Sequence, residues 1–122
     1  MEVKFFFDTY ALVEITKGNP NYLAFTQENI TITIFNLVEF FSAYLNDFGE
    51  EKAKELHNKF KVCVVEIDDE TIFEAVKFRK EHKKRDISYT DSIGYIYTKK
   101  NNFIFLTGDK EFESLPNVKF VK

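Results

Sequence analysis

In Val3-Lys4-Phe5-Phe6-Phe7-Asp8-Thr9-Tyr10, three consecutive phenylalanines run straight into an acid. A short apolar run without polar alternation is the pattern of a strand covered on both faces, as in a parallel sheet. A helical pattern begins directly after Asp8, so the acid stands at a strand exit. Near the other end of the chain the arrangement returns, with Phe103-Ile104-Phe105-Leu106 followed by Thr107-Gly108-Asp109. Working outward, similar runs predict strands over 3–7, 30–34, 62–66, 103–106 and 118–121. Val118-Lys119-Phe120-Val121 alternates and reads as an edge strand. Helical patterns fill the gaps at 11–16, 21–27, 35–47, 50–60, 69–84 and 90–100, with Lys17-Gly18-Asn19-Pro20 breaking the first from the second. Alternating strands and helices imply right-handed crossovers. The expected fold is a three-layer α/β/α sandwich around a central, mostly parallel sheet of four to five strands. It forms a single domain over 1–122.

The composition is compatible with that fold. Of 122 residues, 44% are hydrophobic and 15 are Phe, which predicts a ring-rich core. No apolar run approaches the roughly 18 residues that span a bilayer. The N-terminus lacks the layout of a signal peptide. Cys63 is the only cysteine, so an internal disulfide is excluded and a reducing, cytoplasmic setting is expected. In Val62-Cys63-Val64-Val65 it reads as a small buried hydrophobe. His57 and His82 have no Cys or His partner at zinc spacing. The net charge of -3 neither announces nor excludes a nucleic-acid binder, because distribution matters more than the sum.

Four acids stand where acids are least expected: Asp8, Glu39, Asp91 and Asp109. Each has an ordinary reading. Asp8 suits a helix N-cap. Glu39 closes a capping box from Asn36, unless the helix starts earlier under a Thr33 cap. Ser88-Tyr89-Thr90-Asp91 also matches a capping box, and Asp109 suits a turn. Glu39 is the most telling. At helical spacing, Leu37, Val38, Phe40, Phe41, Tyr44 and Leu45 cover most of the circumference, which predicts a helix buried nearly all round. Glu39, Ser42 and Asn46 form its one polar stripe. Together, two strand-exit aspartates, one acid within an apolar helix and one at a helix start lay out a hard-cation site. Oxygen ligands of this kind suit Mg²⁺ or Mn²⁺.

These motifs resemble the PIN-domain family, in particular the VapC-type toxin ribonucleases of toxin–antitoxin pairs, over essentially the whole chain. Phe7-Asp8-Thr9 resembles the family's first strand exit. Asn36-Leu37-Val38-Glu39-Phe40 resembles its helix glutamate, and Ser88-Tyr89-Thr90-Asp91-Ser92-Ile93-Gly94-Tyr95 its Ser-x-x-Asp helix start. Thr107-Gly108-Asp109-Lys110-Glu111-Phe112 resembles its final Thr-x-Asp. The chain departs in carrying Glu111 where a second Asp is common. The resemblance implies a divalent-metal-dependent endoribonuclease of RNA phosphodiester bonds, with Asp8, Glu39, Asp91 and Asp109 as catalytic metal ligands for one or two Mg²⁺ or Mn²⁺ ions. It also implies an antitoxin partner and a homodimer, whose apolar interface is expected near Tyr22 and Phe25.

A basic run, Lys77, Arg79, Lys80, Lys83, Lys84 and Arg85, ends just before Ser88. It reads as a solvated helix end complementing the dipole of a helix that opens on Asp69, Glu70 and Glu74. Its position also suits holding an RNA backbone. The alternative function is a PIN-like RNA-binding or scaffold module that does not cleave. A phosphatase or phospho-receiver fits less well, since a phosphatase wants an acid where Tyr10 stands.

Overall fold

The computed structural model describes residues 2–122. Three regular parallel strands form the sheet: β1 (Phe5–Phe7), β2 (Ile104–Thr107) and β3 (Val118–Phe120), in the order β1-β2-β3. Among the described residues, five α-helices accompany them: α1 (Thr9–Lys17), α2 (Ile34–Phe48), α3 (Glu50–Phe60), α4 (Asp69–Glu81) and α5 (Tyr89–Lys100). Short 3-10 turns occupy Pro20–Phe25, Lys61–Cys63 and Lys110–Phe112.

The parallel α/β character is as expected, but the sheet has fewer regular strands than the four to five predicted. The segments 30–34 and 62–66 reduce to isolated parallel bridges, Phe6 with Thr31 and Ile32 with Val64. Local chemistry explains the shortening. Thr33, itself still extended, ends the run by capping α2, its hydroxyl oxygen accepting from Asn36 N at 3.3 Å. Lys61–Cys63 is coiled into a 3-10 turn that continues directly from α3. The expected helix at 21–27 is a 3-10 turn over Pro20–Phe25, and the helix expected to reach 84 ends at Glu81. Beyond it, Lys83, Lys84, Arg85 and Asp86 offer no apolar residue to hold another turn against the core.

Alternation along the strands sends side chains to two apolar clusters. Phe7 and Leu106 pack with Leu12, Leu37, Phe40, Leu56 and other residues of α1, α2 and α3. Phe6 and Phe105 pack with Ile87, Tyr95 and Phe112. Gly94 lets α5 lie against β1, since a Cβ there would stand 2.6 Å from the Phe6 ring. Tyr22 and Phe25 are buried within the first cluster, at 1% and 9% exposure, so they do not present the dimer surface expected of them. The Tyr22 hydroxyl instead donates to the Val121 carbonyl at 2.7 Å, holding the C-terminal segment.

Helix α2 also differs from its expected burial. Leu37, Phe40 and Tyr44 are buried, but Ile34, Val38, Leu45 and Phe48 are exposed. Among the described residues, no helix is long and apolar enough to cross a membrane.

Candidate active site

The carboxyl end of β1 delivers Asp8, and the carboxyl end of neighbouring β2 delivers Asp109. Register places Phe7 opposite Leu106, so the two exits lie side by side. Asp8 is 2% exposed and caps α1, its Oδ1 accepting from Ala11 N at 2.8 Å. Its Oδ2 accepts from the Thr107 hydroxyl. The Thr107 oxygen in turn accepts from Asp109 N at 2.9 Å, so one buried threonine ties the two aspartates together. Asp109 caps the turn Lys110–Phe112 by accepting from Glu111 N at 2.9 Å. Gly108 is required between them because a Cβ would stand 2.1 Å from the Tyr10 ring.

Glu39 reaches the same edge from α2. The capping box of that helix is Thr33 with Asn36, which resolves the ambiguity in sequence and frees Glu39 from capping. The Asn36 Oδ1 accepts from Thr33 N at 2.9 Å, and its Nδ2 donates to Thr9 Oγ1 at 3.1 Å. Thr9 then donates to Glu39 Oε1 at 2.7 Å. The residue following Asp8 therefore positions Glu39. Asp91 lies in the first turn of α5, where Ser88 is the cap and its hydroxyl oxygen accepts from Asp91 N at 3.0 Å. The capping reading of Ser88 thus holds, with Asp91 still within electrostatic reach of the other acids.

The electrostatics show this proximity. Burial pushes the Asp8 carboxyl up to about 8 against the hydrogen bonds from Thr107 and Ala11, with the charges of Asp91 and Asp109 adding to the rise. Burial also raises Asp91 to about 6, with Glu39 and Asp109 contributing and Ser88 opposing. Among the described residues, none of the four acids forms a salt bridge with a Lys, Arg or His. Buried, mutually repelling carboxylates with no cationic partner fit a divalent cation by donor chemistry. As positioned, however, no three His, Cys, Asp or Glu side chains among the described residues converge closely enough to hold one. Three of the four are turned to internal donors: Asp8 to Ala11 N and the Thr107 hydroxyl, Glu39 to Thr9, and Asp109 to Glu111 N.

Residues that reasoning from sequence used only as motif neighbours carry much of this geometry. Thr33, Asn36 and Thr107 are each fully buried polar residues. Their signal in sequence is a threonine or asparagine at the end of an apolar run, beside a candidate acid.

The PIN domain family model matches residues 5–118. A search of curated proteins by sequence finds no match. Among solved structures, a toxin–antitoxin complex from Klebsiella pneumoniae superposes with a TM-score of 0.73 at 18% identity, covering 95% of this chain and 96% of the other. VapC20 of Mycobacterium tuberculosis, described as a Sarcin-Ricin loop cleaving toxin, gives 0.77 at 14% identity, covering 93% and 95%. DNA-bound VapBC of Salmonella typhimurium gives 0.72 at 16% identity, covering 98% and 97%. At these identities the likeness is one of fold.

Proposed function

The chain belongs to the PIN domain family, and from that premise we propose that it is a divalent-metal-dependent endoribonuclease, the toxin of a toxin–antitoxin pair. The observation that carries this reading is the buried Asp8 joined through Thr107 to Asp109, with Asp91 electrostatically coupled to both and, among the described residues, no Lys, Arg or His paired to any of them. In this reading Asp8, Glu39, Asp91 and Asp109 hold one or two Mg²⁺ or Mn²⁺ ions. Such an ion supplies water activation and charge stabilisation to phosphodiester hydrolysis. Thr107 orients Asp8, and the Asn36–Thr9 pair orients Glu39, as partners beyond the ligands commonly do. No side chain acts as a nucleophile.

The remaining features of the proposal follow the same family reading. The Thr31–Ile32 and Val64 bridges are taken as shortened strands of a three-layer sandwich in a single domain, and the setting as cytoplasmic. An antitoxin is the expected partner, by analogy with the toxin–antitoxin complexes of similar fold. The exposed apolar residues Ile34, Val38, Leu45 and Phe48 on α2 support a protein partner on that helix, either antitoxin or a second copy in a homodimer.

The test is cleavage of RNA by purified protein in Mg²⁺ or Mn²⁺ and in EDTA. Cutting should require the metal and fall on the order of 10²-fold or more in Asp8→Asn. Cutting that persists undiminished in EDTA or in Asp8→Asn contradicts the mechanism. Metal binding without cutting of structured or unstructured RNA favours the non-cleaving binding module.

A further inference from the structure

The basic run that spans the last turns of α4 and the loop after it is not a uniformly solvated helix end. Arg79, Lys80, Lys83 and Arg85, together with Asp86 and Ile87, line a cavity of about 490 Å³. Four cations face one acid there, in a chain whose net charge is -3. Among the described residues, none of the four cations forms a salt bridge.

The cavity is also built onto the candidate active site. Arg79 Nε donates to the Ile87 carbonyl at 2.8 Å, immediately before the Ser88 cap of α5 and three residues after it comes Asp91. Arg85 Nη1 donates to the Glu111 carbonyl at 2.5 Å, while Glu111 N donates to Asp109. Arg79, at the end of α4, and Arg85, in the loop after it, therefore tie this region to the segments that carry two of the acids. Lys80 and Lys83 are exposed and make no side-chain hydrogen bond among the described residues. Tyr89 adjoins the cavity through Arg79, whose guanidinium stands 4.2 Å from its ring centroid, and is 53% exposed.

A concave cluster of cations next to a largely exposed aromatic ring matches the recognition chemistry of single-stranded nucleic acid, which combines phosphate contacts with base stacking. We propose that this cavity seats a backbone phosphate of single-stranded RNA while a neighbouring unpaired base stacks on Tyr89. The inference rests on the ribonuclease reading and extends it by naming the residues that seat the substrate. Arg79 and Arg85 shape the seat. Lys80 and Lys83 supply its exposed positive charge.

The experiment is fluorescence anisotropy with a labelled single-stranded RNA of about 12 nucleotides, in EDTA and from 50 to 200 mM salt, a range in which phosphate contacts are strongly salt-dependent. EDTA separates binding from any cutting. Lys80→Ala with Lys83→Ala should weaken binding roughly tenfold and reduce the slope of log affinity against log salt by about 0.7, the value for one phosphate of a single strand. Tyr89→Ala should weaken binding about fivefold or more, with Tyr89→Phe restoring it, as base–aromatic stacking implies. A duplex of the same sequence should be insensitive to Tyr89→Ala. The control pair Lys52→Ala with Lys59→Ala, on α3, should change neither affinity nor slope.

Unchanged binding in the Lys80/Lys83 pair, or an equal loss in the α3 control, overturns the seat. So does poly-glutamate competing as well as RNA, with no effect of Tyr89→Ala, which marks a general polyanion patch. Metal-dependent cutting with these binding effects absent removes the seat and leaves the nuclease. The binding effects without cutting leave the seat and remove the nuclease.

Discussion

Asp8 is the residue on which most of the electrostatics converges. In the folded, metal-free chain its carboxyl is pushed up to about 8, mainly by burial, whereas an unfolded aspartate ionises near 3.8. The folded state therefore holds a proton that the unfolded state has lost throughout that interval. Stability rises wherever the unfolded state binds more protons, so here it falls as pH rises from about 4 to about 8. Asp91, raised to about 6, adds the same sign over the lower part of the window. Urea melts of metal-free protein between pH 4.5 and 8 should show this decline. In Asp8→Asn the slope should be distinctly shallower, with little loss of helix capping because Asn caps as well as Asp. An equal decline in both proteins would mean that Asp8 is ionised in the folded chain. Thr107 belongs to this scale too: Thr107→Val removes the hydroxyl between Asp8 and Asp109 and should weaken metal affinity roughly 10–100-fold, readable by calorimetry.

Helices position the acids, and their ends explain what was legible in the sequence. The strand exits at Asp8 and Asp109 were readable because each follows an apolar run whose burial is forced. The Glu39 position was readable as a polar residue on an apolar helix. Its surroundings were not: the expectation of near-complete burial for α2 failed because hydrophobicity does not say whether a partner chain is present to cover Ile34, Val38, Leu45 and Phe48. The two lost strands failed for a different reason. Thr33 and Lys61–Cys63 carry local hydrogen-bonding alternatives that win over sheet pairing. Two substitutions test the element scale. Thr33→Ala removes the α2 cap and should cost about 1 kcal/mol in chemical denaturation, while loosening the Asn36–Thr9–Glu39 chain. Gly94→Ala forces a Cβ onto the Phe6 ring and should cost roughly 1–3 kcal/mol, partly recovered when Phe6→Leu is added.

Across the whole molecule, the two faces of the sheet divide the work. Helices α1, α2 and α3 bury Phe7 and Leu106 and bring Glu39 to the site. The cluster of Phe6, Phe105, Tyr95 and Phe112 underlies the face on which Asp91 and the basic cavity stand. Much of that division could be read from alternation along the strands. The placement of Tyr22 and Phe25 could not, because it rests on contacts distant in sequence: Tyr22 with the Val121 carbonyl and Phe25 with the Phe5 ring. A chain organised around repelling acids should gain stability from the ion that relieves them. At a hundredfold excess over Kd, metal should stabilise the wild type by about 2.7 kcal/mol. Thermal melts should show a smaller gain in Asp91→Asn.

Mn²⁺ titration followed by electron paramagnetic resonance, on the wild type and on Asp8→Asn, Glu39→Gln, Asp91→Asn and Asp109→Asn, tests the shared carboxylate site most directly. The account predicts saturable binding of one or two ions by the wild type and a loss of affinity of roughly tenfold or more in each variant. No saturable binding by the wild type, or undiminished affinity in all four variants, would contradict it.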